Sequence, residues 1–214
     1  MRALGSMLMS MIAVLVSGFT TFLTFFDERY TLTSAVVEIR AGTQQGSGYT
    51  EDTGLNVTYQ HYVTPSFILS NRGTRALVLT DIELVRSGTL DTCESGDEIA
   101  APLGPSFEPM IIDADSVHSL AREFNISRVT RNYPARRAPA SAAERLSAEY
   151  EPETWCITLT VFDHRGRRME PTFEAMTAER IFDPLGPDDA FPRGSLEIEH
   201  PIAANQLLSK GAVF

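Results

Sequence analysis

A chain of 214 residues has room for one domain and an anchor, and 43% hydrophobic residues suffice for a core, which excludes disorder by composition. The formal charge of −10 excludes a nucleic-acid binder, which needs net positive potential to displace counterions from phosphates. The acidic charge keeps the chain soluble, and lysine use restricted to Lys210 is the bias of a high-GC bacterial genome.

The first element predicted is a transmembrane helix, assigned here to residues 1–28. Ala3 to Phe26 contains no charged residue, and 24 residues of helix span roughly 36 Å against a hydrocarbon core of about 30 Å. A secretory signal peptide is the competing reading; it would end in a small-x-small cleavage site, whereas this segment runs into Phe22, Phe25 and Phe26. An uncleaved anchor is therefore expected. Arg2 before the helix and Arg29 and Arg40 after it give almost no positive-inside bias. A short N-terminal tail ahead of a large C-terminal domain favours a cytoplasmic N-terminus and a periplasmic domain, at the inner (cytoplasmic) membrane of a bacterium. Ser6, Ser10, Ala13, Ser17, Thr20 and Thr24 recur at steps of three and four and share one helix face, with Leu8, Ile12, Leu15, Phe19, Phe22 and Phe26 opposite. Small residues let helix backbones approach closely in lipid, so this face is the expected helix–helix interface.

Beyond the anchor the period becomes two. Tyr30 to Arg40 reads as a strand with Ala35, Val37 and Ile39 inward. Gly42, Gly46 and Gly48 then mark a flexible loop. Leu55, Val57, Tyr59, His61 and Val63 alternate with polar residues, Phe67 and Leu69 follow, and Asn71-Arg72-Gly73 is a turn. Ala76 to Val85 is a strand with Val78, Ile82 and Leu84 on one face, and Asp91 to Pro109 reads as a loop. Leu120, Phe124 and Ile126 mark another strand. A short helix over Ala140 to Tyr150, flanked by prolines, forms an insertion at about residues 131–152. Thr154 to Asp163 is the clearest strand: Trp155, Ile157, Leu159 and Val161 lie on one face and Cys156 on the other. A last short strand covers Ser195 to Glu199. Seven or eight short strands between turn-rich loops predict a mainly β domain over 29–200, an antiparallel Ig-like β-sandwich, followed by a C-terminal tail at 201–214.

Cys93 and Cys156 are the only cysteines. In an exported domain they are expected to form one disulfide; in a cytoplasmic one they would be two separate thiols. His61, His118, His164 and His200 have no metal-ligand spacing, and no nucleophile or phosphate-loop motif occurs. No catalytic, metal or cofactor site is predicted. Asp163-His164 reads as a turn, and the sequons at Asn56 and Asn125 carry little weight in a bacterial composition. Against the acidic background, Arg128, Arg131, Arg136 and Arg137 approach the insertion, and Arg165, Arg167 and Arg168 follow the clearest strand. Should they converge, they form a basic docking patch. The leading expectation is a non-enzymatic accessory subunit or interaction module in the lipid bilayer. Its anchor would pack in an integral membrane protein complex or homo-oligomer, and its β domain would dock outside the cytoplasm. The alternatives are an anchored ligand-binding domain or hydrolase with a site assembled from distant residues, and a cytoplasm-facing tethered regulator.

Overall fold

The computed structural model describes residues 12–18, 30–50, 54–87, 93, 96–133, 140–185, 191–199 and 205–210. Of the segment predicted as the anchor, the described residues 12–18 form a helix, α1. Ala13 and Ser17 lie on it; Ser6, Ser10, Thr20 and Thr24 fall outside the described residues. Among the described residues no helix is long and apolar enough to cross a membrane.

The rest is mainly strand. β1 (Tyr30–Thr50) and β2 (Gly54–Asn71) form a long hairpin, followed by β3 (Leu77–Ser87), β4 (Gly96–Ile99), β5 (Ala101–Pro102), β6 (Met110–Ile112) and β7 (Ser116–Ala121). After β8 (Phe124–Tyr133) comes the helix α2 (Ala140–Ala148), placed where the proline-flanked insertion predicts one. Then follow β9 (Glu153–Phe162), β10 (Arg168–Met169), β11 (Thr172–Asp183), β12 (Arg193–Glu199) and β13 (Asn205–Lys210). These strands make two antiparallel sheets, one ordered β13-β1-β2-β8-β5 with β7 also on β2, the other ordered β12-β11-β9-β3-β4 with β6 and β10 at its margin. β13 lies in the segment expected to be a tail; it closes the first sheet by pairing with Tyr30–Ser34 of β1.

Apolar side chains of the two sheets meet in a main core that includes Leu32, Phe67, Leu79, Ile82, Phe124, Trp155, Leu159 and Phe173. Phe67 and Phe173 touch edge to face across it, with centroids 5.9 Å apart. A second, smaller core of Val57, Tyr59, Val129 and Phe182 lies under the hairpin and is capped by Ala143 and Leu146 of α2. The Ser147 hydroxyl accepts a 3.0 Å bond from the Phe182 amide, seating the helix on β11.

One face assignment is corrected. Leu32, Ser34 and Val36 point inward, and Val37 is 56% exposed. The cause is a bulge between Val36 and Glu38, which adds one residue and returns Ile39 to the inner side. The predicted loop at Gly42–Gly48 is also strand, paired residue for residue with Tyr62–Asn56 of β2. Cys93 and Cys156 form a disulfide with Cα atoms 5.9 Å apart. Cys156 is buried although it faces away from Trp155.

Candidate functional site

The outer face of the hairpin carries a ladder of polar side chains. Three cross-strand rows run over β1, β2 and β8: Gln44–Gln60–Arg128, Gly46–Thr58–Thr130 and Gly48–Asn56–Asn132. Alternation decides this: Val57, Tyr59 and His61 are buried, so Asn56, Thr58 and Gln60 face out. Gly46 and Gly48 leave the β1 side of the face bare, with open space where a Cβ would stand. The result is an open groove of about 420 Å³ lined by Gln44, Gly46, Ser47, Asn56, Gln60 and Arg128. Thr58 and Thr130 join hydroxyls across it at 3.1 Å. Next along the face, Tyr62 lies against Gly42, whose missing Cβ would stand 2.3 Å from the ring.

Directly inside the sheet lies a buried polar layer. His61, 0% exposed, meets the Thr43 hydroxyl through Nδ1 at 2.9 Å, and its Nε2 has no hydrogen-bond partner among the described residues. Burial, assisted by the nearby Arg180 guanidinium, lowers the His61 pKa from 6.5 to about 4. Arg180 donates to both Glu153 carboxylate oxygens, at 2.9 and 3.3 Å, and to the Ser127 hydroxyl at 3.1 Å. Its guanidinium stacks over the Tyr150 ring, 4.9 Å from the centroid. Glu153 also accepts from Arg86 at 3.2 Å, and Arg86 pairs with Glu98 at 3.3 Å. The imidazole is enclosed in the sheet and out of reach of solvent.

The layer around Arg180 is what sequence reasoning missed. The signal was present in Thr172–Asp183, where Ala178, Arg180 and Phe182 take successive inward positions, a charge in an apolar series.

The arginines singled out from sequence separate into two groups. Arg128 and Arg131 lie on β8 opposite Gln60 and Val57, towards the hairpin end; Arg136 and Arg137 fall outside the described residues. Arg165, Arg167 and Arg168 follow β9, whose end pairs with Val78 at the start of β3, beside the turn after Asn71. From Val57 to Asn71, β2 spans roughly 46 Å at 3.3 Å per residue, so the two groups occupy opposite ends. The described members of the two groups therefore lie apart. Arg131 pairs with Glu149, Arg168 with Glu170, and Arg167 with Asp163 at 2.6 Å. Burial alone would raise the pKa of Asp163, but bonds from the Arg167 amide and side chain and from the Arg165 amide hold it below the ordinary carboxylate value.

Among the described residues no group of three or more His, Cys, Asp or Glu side chains is arranged to hold a metal ion. No protein-family model matches the chain, and no curated protein or solved structure matches it either.

Proposed function

We propose that the chain is a membrane-anchored interaction module: a single N-terminal transmembrane helix carrying an Ig-like sandwich whose long hairpin reaches a partner outside the cytoplasm. The observation that carries this reading is the hairpin. β1 runs 21 residues, about 70 Å at 3.3 Å per residue. On its outer edge Tyr30–Ser34 pair with β13. From Ala35 to Thr50 no strand hydrogen-bonds to that edge among the described residues, although β12 packs beside part of β1, and an unpaired strand edge is a template for an added strand.

Two further observations support the reading. Strand order β1-β2-β8-β5 against β4-β3-β9-β11 corresponds to the A-B-E-D and C′-C-F-G orders of Ig-type sandwiches. The disulfide belongs in an oxidising compartment.

The experiment is mild detergent extraction of native membranes, followed by measurement of complex size and thiol labelling without reductant. A discrete complex larger than the chain, with both cysteines unreactive, is expected. Replacing Ser10, Ala13 and Ser17 by Leu should release the chain from it, and Gln45→Lys should weaken docking at the edge. A lone chain with two labelled thiols would refute the proposal.

A further inference from the structure

We infer that the hairpin groove is a binding site for a sugar carrying a single carboxylate. Its volume of about 420 Å³ falls within the range of small-molecule sites. The lining is unusual for such a site because it is made of amides, hydroxyl residues, glycine backbone and one guanidinium, with no apolar side chain. Gln44 and Gln60 both donate and accept, which is the complement of a hydroxyl-rich ring. Neither glutamine side chain, nor that of Arg128, has a hydrogen-bond or ion-pair partner among the described residues. Its neighbours Arg131 and Arg180 are both paired with glutamates.

Arg128 therefore supplies an uncommitted two-pronged donor at the end of the Gln44–Gln60 row, matched to a carboxylate. Gly46 and Gly48 leave the floor clear for a ring to rest on the backbone. The net charge of −10 disfavours polyanionic glycans, which selects one carboxylate rather than many. The site needs only the hairpin and β8, so it stands or falls independently of the anchor and of any docking at the strand edge.

The test uses the full chain in a sugar-free detergent, with ligand-observed NMR titration of sialyllactose and of lactose, its neutral core. Sialyllactose should bind about tenfold or more tightly than lactose, and Arg128→Gln should remove that advantage. Gly46→Val, placed where a Cβ meets nothing within 4 Å, should fill the groove and abolish both signals while the thermal melt stays unchanged. Equal responses to sialyllactose and to acetate would mean that Arg128 attracts carboxylates without a sugar site, and would overturn the inference. So would sialyllactose binding that survives Gly46→Val, or no binding at all.

Discussion

His61 should make the domain acid-sensitive well above the range where carboxylates titrate. The imidazole is fully buried, with a folded pKa of about 4 against 6.5 in the unfolded chain. Unfolded chains therefore take up a proton that the folded state refuses. The neutral form contributes its full stability above pH 6.5; that stability declines as pH falls towards 4 and is constant below. With these two values, linkage gives a loss of about 2 kcal/mol between pH 7 and pH 5. Charged neighbours fit this sign. Arg180 opposes a second positive charge, and Glu153 is already engaged by Arg180 and Arg86. Asp163, held below the ordinary carboxylate value, titrates outside this window. Urea unfolding at the two pH values measures the loss directly. His61→Asn keeps a polar partner for Thr43 and removes the titration, so its stability should be nearly the same at both pH values. Equal pH dependence in the two proteins would refute the assignment.

Other perturbations separate the remaining interactions. Closing 63 residues of chain stabilises by about 4 kcal/mol on the chain-entropy model, so Cys93→Ser with Cys156→Ser should lower the melting temperature, and reductant should then have no further effect. Arg180→Ala leaves Glu153 with Arg86 alone in a half-buried setting and should cost about 3 kcal/mol in chemical denaturation. Gly42→Val drives a side chain into the Tyr62 ring and should cost about 1–2 kcal/mol, a loss that Tyr62→Ala in the same chain relieves; parallel thermal melts decide it.

Much of the sandwich is legible because buried strands alternate. Leu55–Val63 and Thr154–Asp163 show which residues face the core, and the turns at Asn71 and Asp163 follow from side chains that bond nearby backbone. The errors have physical reasons. A period-two pattern cannot reveal a bulge, so the phase of β1 is read one residue off at Val37. Gly42–Gly48 lacks any apolar rhythm and reads as loop, yet its partner strand alternates strongly and supplies the pairing. Cys156 breaks the two-face rule because β9 is a central strand whose second face is covered through the bond to Cys93. β13 escapes notice because its partner lies at the other end of the chain, and no local pattern reports so distant a pairing. The groove is hardest to read: it depends on Arg128 arriving opposite Gln60 across a separate strand.

The buried polar layer explains why a hairpin with so little apolar character keeps one register. It lies between the two cores: His61 falls between Tyr59 and Val63, and Arg180 between Ala178 and Phe182, each flanked by one residue of either core. Burying charges gains little stability by itself, but a buried polar contact is intolerant of the wrong neighbour. Gly/Gln/Ser strands specify register weakly, and a slip of two residues would set Ala41 or Gln45 opposite His61 in place of Thr43. Ala41 has no group to meet Nδ1, and Gln45 is longer than the space Thr43 fills. Thr43→Val keeps the shape and removes the hydroxyl, which leaves both imidazole nitrogens without a hydrogen bond at a cost of about 1–3 kcal/mol. The loss should be local. Amide exchange should speed up at Gln44–Gly48 while β9 and β3 stay protected, because the Thr43–His61 contact lies in the β1–β2 hairpin and β3 and β9 pair in the other sheet. Uniform acceleration across both sheets, or no change in the hairpin, would show that something other than the Thr43–His61 contact holds the register on which the groove depends.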